Sequence, residues 1–169
     1  WKHIRGLPVE SHKCRICNKY VESIQHLLAG CEVLANKEYL TRHNQALYIF
    51  AARWAKDKAL LDENIKWYEL NWESGTVLEN QNYKVIWDFQ FKLRKTEKAR
   101  RPDLILEDNV ENSIYIVDMA VPMETNVEKK TKSKLEKYLQ LSFEMRTKRP
   151  NFKIYIIPVV IGCCGGGAE

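Results

Sequence analysis

Arg101-Pro102-Asp103-Leu104-Ile105-Leu106 and Ile114-Tyr115-Ile116-Val117-Asp118 are two short apolar runs, each with an aspartate toward its outer end. Between them lies Glu107-Asp108-Asn109-Val110-Glu111-Asn112-Ser113, which is polar and rich in turn residues. Two strand-like runs separated in this way predict a hairpin. If it is centred near Val110 and Glu111, Asp103 falls opposite Asp118, and directly opposed Cβ atoms lie about 4.5–5.5 Å apart. Like charges so placed repel unless something positive sits between them. A divalent cation is one answer: two carboxylates that leave positions open to water and phosphate oxygens suit Mg²⁺ or Mn²⁺. The other reading is a different register, with both aspartates at exposed strand ends.

Outward from this hairpin, Tyr83-Lys84-Val85-Ile86-Trp87-Asp88-Phe89 and the β-branched run from Phe152 to Ile161 read as further strands. Asn126 to about Lys148 has helix length, and Leu135, Leu139 and Phe143 at steps of four are expected on its core side. Lys130, Lys134 and Tyr138 also recur every four residues and so share a face. A lysine there can orient an attacking water or take its proton, because desolvation and neighbouring cations lower an amine's pKa. A solvated lysine face is the plainer alternative. The order strand, strand, strand, helix, strand predicts an α/β (α+β) core with a mixed sheet flanked by helices. Upstream, Leu40, Leu47, Ala51, Trp54, Lys58 and Leu61 follow a helical period, and residues 37 to about 72 read as helical until Glu73-Ser74-Gly75-Thr76 breaks the pattern.

The N-terminal segment has a different texture. Cys14 and Cys17 form a Cys-x2-Cys pair, followed by His26 and Cys31, with little periodic apolar pattern around them. Zinc takes four tetrahedral N/S ligands, and a short segment poor in core residues gains its order from metal. Buried free cysteines beside a surface histidine are the alternative. Four protein ligands leave no open position, so the expected zinc is structural. The expected organisation is a zinc module at 1–36, a helical connector packed on the core at 37–80, the catalytic-type core at 81–162 and a tail at 163–169.

The 169 residues fit one ordinary domain, and 45% hydrophobic with 29% charged residues argues against disorder. No stretch approaches the roughly 20 apolar residues of a membrane span. Trp1-Lys2-His3-Ile4-Arg5 lacks the apolar run of a signal peptide, so neither secretion nor a membrane partner is expected. Five cysteines, clustered at the two ends, fit a reduced compartment better than a disulfide scaffold. The net charge of +5 is mild, but its placement is not uniform. Lys92 to Arg101 holds six basic residues and one acid, and Lys129 to Lys137 holds five lysines and one acid. Both runs flank the aspartates in sequence. A solvated face explains such runs, and so does a polyanion, since phosphate contacts supply most of the affinity for nucleic acid.

Taken together, several of these features resemble the restriction-like endonuclease domain, of the PD-(D/E)xK type, found at the C-terminus of site-specific non-LTR retrotransposon polyproteins. They are the Cys14, Cys17, His26, Cys31 cluster, Arg42-His43-Asn44 at the start of the long helix, and Trp87-Asp88-Phe89. Arg101-Pro102-Asp103, Val117-Asp118, Lys134 with Lys137-Tyr138, and Ile157-Pro158-Val159-Val160-Ile161-Gly162 complete the set. The resemblance spans nearly the whole chain, and its specificity lies in the order and spacing of the pieces. It implies a domain of a larger polyprotein that nicks double-stranded target DNA in the nucleus. The new 3′ hydroxyl then primes reverse transcription of the element RNA by the partner reverse transcriptase domain. Carried over, Asp103 and Asp118 hold the catalytic Mg²⁺ or Mn²⁺, Lys134 is the catalytic lysine, and Lys137 and Tyr138 support the site or grip DNA. Ordinary restriction enzymes carry the lysine two positions after the second acid. Here that position is Ala120; the resemblance to the retroelement class implies a lysine carried on the helix instead, which Lys134 matches and Lys130 rivals. Asp88 is a candidate third acid and Glu124 a weaker one, with a structural role for Asp88 as the alternative. Arg42, His43, Lys95, Arg100, Arg101 and Lys130 are the candidate DNA contacts, although Arg42 and His43 would serve equally to cap and pack the helix. The alternative function is a catalytically inactive, zinc-containing nucleic-acid-binding module; a zinc-based protein-interaction domain is a third.

Overall fold

The computed structural model describes residues 11–93 and 100–166. Lys95 lies outside them. At the centre is a five-stranded sheet in the order β1 (Val77–Glu79), β2 (Tyr83–Trp87), β3 (Leu104–Asp108), β4 (Ser113–Ala120), β5 (Lys153–Val160). The first three pairings are antiparallel and β4 pairs with β5 in parallel. A parallel neighbour needs a crossover connection, which the 22-residue helix α3 (Val127–Lys148) provides.

Every residue of β3 is buried, and only Tyr115 and Ala120 of β4 are partly open, because both faces of the sheet are covered. On one face, Leu104, Leu106, Val117 and Met119 join Val85 and Trp87 of β2 and Trp72. Against them packs helix α2 (Leu40–Asp57) through Leu47, Ala51 and Ala55, spaced four apart, with the alanines giving close approach. On the other face Ile105, Ile114, Ile116 and Ile154 pack with Leu93 and with Tyr138 and Leu141 of α3. A one-residue slip of β3 on β4 would exchange the two faces, so the double burial fixes the register.

The segment that carries the Cys/His cluster precedes α2. A π-helical turn (His26–Gly30), the three-residue helix α1 (Glu32–Leu34) and a second π-helical turn (Ala35–Tyr39) lead into α2.

The structure departs from the sequence reading in three places. The long helix ends at Asp57 instead of near residue 72: Ala59 adopts φ 54°, and the Asp62 carboxylate accepts the Asn64 N–H in a local turn. Leu60, Leu61 and Leu70 still pack on the first core, but from irregular chain. The sheet begins at Val77, so the expected connector at 37–80 contributes its edge strand. Finally, Leu135, Leu139 and Phe143 are 38%, 59% and 58% exposed, whereas Tyr138, Leu141 and Ser142 are buried. The helix is thus turned by about one residue position, roughly 100°, from the expected core face. Buried Asp118 on the facing strand draws Tyr138 and Lys134 inward.

Candidate metal centre and acidic site

Cys14 and Cys17 sit in a knuckle closed by local backbone bonds. Cys14 N–H donates to Tyr20 O (2.7 Å), Asn18 N–H to Cys14 O (2.8 Å) and Glu22 N–H to His12 O (2.9 Å). Asn18 takes the left-handed conformation at φ 55°, which asparagine tolerates better than most residues. The π-helical turn then swings His26 back, and Cys31 follows directly after it. One ligand atom from each of Cys14, Cys17, His26 and Cys31 lies within 4.8 Å of all the others, and Cys17 Sγ is 3.3 Å from His26 Nε2. Cys14 and Cys31 are fully buried. Three thiols and an imidazole at these separations fit the donor set of zinc, and the group could hold a zinc ion. The N–H groups of Lys19 and then Tyr20 lower the Cys17 thiol to about 6, toward the thiolate that a metal needs, while burial raises that of Cys31.

The cluster is anchored to the rest of the molecule by the approach to α2. The Tyr39 hydroxyl accepts the Cys31 N–H (2.7 Å) and lies 3.1 Å from the carbonyls of His26 and Leu27. Arg42 donates from its guanidinium to Leu28 O (2.6 Å). This residue, a candidate DNA contact in sequence, is thus engaged in holding the module to the helix.

The acidic site lies where β3 starts and β4 nears its end. The pairing of Leu104 with Val117, continued by one residue, sets Asp103 against Asp118. Asp118 is 2% exposed. Its Oδ1 accepts from the Tyr138 hydroxyl and from Lys137 Nζ (3.2 Å). Its Oδ2 has no hydrogen bond of regular geometry, and the ammonium of Lys134 closes on it. Lys134 Nζ also donates to Met119 O (3.0 Å). The three α3 residues reach one carboxylate because Lys134, Lys137 and Tyr138 are spaced three and four apart on a helix. Burial, and then the Asp118 charge, drive the Tyr138 hydroxyl far above its ordinary pKa, so it stays a neutral donor; the Asp103 charge acts in the same direction.

Asp103 is held differently. Its Oδ2 accepts the Met119 N–H (2.6 Å) and faces His43 Nε2 at 3.3 Å. That pairing raises His43 to about 8 despite burial, with Asn44 Oδ1 3.0 Å from Nδ1 adding to the effect. His43, placed among the DNA contacts from sequence, is therefore a partner of the first aspartate. No local pattern signals this, because α2 and β3 meet only in the folded chain.

The remaining sequence candidates are spread around this centre. The Asp88 carboxylate pairs with Arg101, whose guanidinium also donates to Ser74 Oγ (3.0 Å), while Asp88 N–H donates to Asp103 O (2.8 Å). Asp88 itself adopts φ 46°. It thus buttresses the backbone beside Asp103, and its carboxylate is committed to Arg101. Arg101 remains half exposed, Arg100 is partly buried with its Nε unpaired, and Lys130 is exposed on the outer side of α3. Lys134, not Lys130, is the lysine beside the acids.

The donor set can be tested for a divalent cation. Two carboxylates from neighbouring strands are oxygen ligands of the kind a hard cation takes, but the buried Asp118 Oδ2 is occupied by the Lys134 ammonium. As the site stands, Lys134, Lys137 and His43 neutralise those acids. No family model and no curated protein matches the chain.

Proposed function

We propose that this chain is the restriction-like DNA endonuclease domain of a site-specific non-LTR retrotransposon polyprotein. Its function is to nick target DNA so that the 3′ end primes reverse transcription. The observation that carries this reading is the convergence of Lys134, Lys137 and Tyr138 from one helix on buried Asp118, directly across the β3–β4 pair from Asp103. An acid pair beside a lysine suits phosphodiester hydrolysis: it offers a place for a cation, and an amine able to position water.

In this reading Asp103 and Asp118 hold Mg²⁺ or Mn²⁺, which when bound polarises the scissile phosphate and stabilises the leaving oxygen. Lys134, which also donates to Met119 O, would turn from Asp118 to orient the attacking water. Tyr138 and Lys137 keep the Asp118 carboxylate oriented. The Asp103–His43 pair fixes the other acid. Arg101, Arg100, Lys130 and the basic stretch that includes Lys95 supply backbone phosphate contacts. The zinc in the N-terminal cluster is structural. The element RNA and the reverse transcriptase domain of the same polyprotein are the partners, and the nucleus is the place of action.

A second reading, a nuclease-like fold that binds nucleic acid without cutting, is favoured by one observation: the acids are already balanced by three internal cations. Plasmid nicking in Mg²⁺ separates the two. Endonuclease function requires nicking by the wild-type chain that is lost in Asp118→Ala. Salt-sensitive DNA binding without nicking by either protein supports the binding module, and equal nicking by both removes Asp118 from the mechanism.

A further inference from the structure

Cys163 and Cys164 take no part in the acidic site, yet the fold brings them to a carboxylate 39 residues earlier. The chain after β5 turns back on itself: Cys163 N–H donates to Pro122 O (2.7 Å), Gly162 N–H to Gly166 O (2.5 Å) and Gly165 N–H to Gly162 O (2.9 Å). Gly162 is required at this close approach. A Cβ there would lie 2.6 Å from Glu124 Oε1 and 2.9 Å from Gly166 O. The Glu124 carboxylate is thereby pressed against the turn. Its Oε1 accepts the Cys164 N–H (2.5 Å), and its Oε2 faces Cys163 Sγ at 3.4 Å. Cys163 Sγ is 3.9 Å from Cys164 Sγ, and one ligand atom from each of the three residues lies within 4.8 Å of the others.

These separations match the edges of a zinc tetrahedron. Ligand bonds of about 2.3 Å to sulfur and about 2.0–2.2 Å to oxygen put two sulfurs about 3.8 Å apart and a sulfur and an oxygen about 3.6 Å apart. The donor chemistry agrees: two thiolates select a borderline-soft divalent ion over Mg²⁺ or Ca²⁺. The Cys164 N–H on Oε1 orients the carboxylate and leaves Oε2 to ligate, the usual arrangement in which an outer hydrogen bond fixes a metal ligand. We propose that Glu124, Cys163 and Cys164 form a second zinc site, distinct from the Cys14–Cys17–His26–Cys31 cluster, with its fourth position open to solvent. A metal here ties the end of β5 to the loop ahead of α3, between the two sequence-distant halves of the fold.

The site is independent of endonuclease function and is tested without it. The full chain is reduced, equilibrated against excess Zn²⁺ and analysed for bound zinc per chain, alongside Cys163→Ser/Cys164→Ser. The expected result is one equivalent less in the double variant, with unchanged circular dichroism, whatever the N-terminal cluster retains. Glu124→Gln keeps an oxygen for the Cys164 N–H but removes the charge, and should weaken that equivalent at least about tenfold. Cobalt titration of the wild type should give sulfur-to-metal charge-transfer absorption that loses one step in the double variant. Equal zinc content in wild type and double variant overturns the proposal. So does a wild-type chain that, after reduction and zinc loading, is recovered with Cys163 and Cys164 joined in a disulfide.

Discussion

The buried carboxylate of Asp118 depends on Tyr138, and the substitution Tyr138→Phe measures how much. The ring is fully buried among Ile105, Ile114, Ile116, Leu141 and Ile154, so phenylalanine keeps the packing and deletes only the hydroxyl. What is lost is a bond to a charged acceptor that is 2% exposed, together with the contact to Arg101 O at 2.9 Å. Hydrogen bonds to charged groups contribute about 1.5–3 kcal/mol. Lys134 and Lys137 remain on the carboxylate and limit the loss, so about 2 kcal/mol is expected. In a domain of this size that lowers the midpoint of thermal unfolding by roughly 4–8 °C. Urea unfolding at pH 7 with zinc present reads the change directly and should leave the slope m unaltered. Repeating it in Asp118→Asn should show a much smaller penalty for removing the hydroxyl, because the charged acceptor is gone. A change below about 0.5 kcal/mol in the wild-type background, or an equal penalty in both backgrounds, would refute the link between these side chains.

The His43–Asp103 pair gives a pH signature in Mg²⁺-free buffer. Histidine is held at about 8 in the folded chain against 6.5 unfolded, so its contribution is complete below pH 6.5 and is lost as pH rises through about 8. The loss should amount to at most about 2 kcal/mol and be absent from His43→Gln; an unchanged slope in that variant would contradict the pairing. The orientation of α3 is checked by a pair of substitutions. Leu141→Ala should cost about 2–4 kcal/mol and Phe143→Ser less than about 0.5 kcal/mol, and the reverse order would mean that the helix presents its other face. Removing zinc with a chelator should abolish amide protection at Cys14 and Cys31 while β3 and β4 stay protected, as hydrogen exchange will show. Retained protection at both cysteines would mean that the knuckle needs no metal.

The hairpin was legible because three local signals agree: β-branched runs, a polar turn between them, and a register that doubly buried strands cannot shift. The Cys/His cluster was legible because its ligands are close in sequence. The rest depends on contacts that no local pattern encodes. Leu135, Leu139 and Phe143 repeat as regularly as the residues that are actually buried, and what decides the helix rotation is a charged group on another strand. Leu60, Leu61 and Leu70 look like a continued helix because they face the core, though from irregular chain. At three residues, β1 is too short to show a period. His43 beside Asp103, and Glu124 beside the two terminal cysteines, are pairings across the fold; sequence alone left His43 between DNA contact and helix packing, and left the cysteines without a role.

The most direct test compares two lysines four residues apart on one helix. Rates of plasmid nicking in Mg²⁺ are measured for the wild type, Lys134→Met and Lys130→Met under single-turnover conditions. The account expects the Lys134 variant to lose about 10²–10⁴-fold, the usual contribution of a general acid or base, and the exposed Lys130 variant to stay within a few-fold of the wild type. Equal losses in both, or a loss in the Lys130 variant alone, would contradict it.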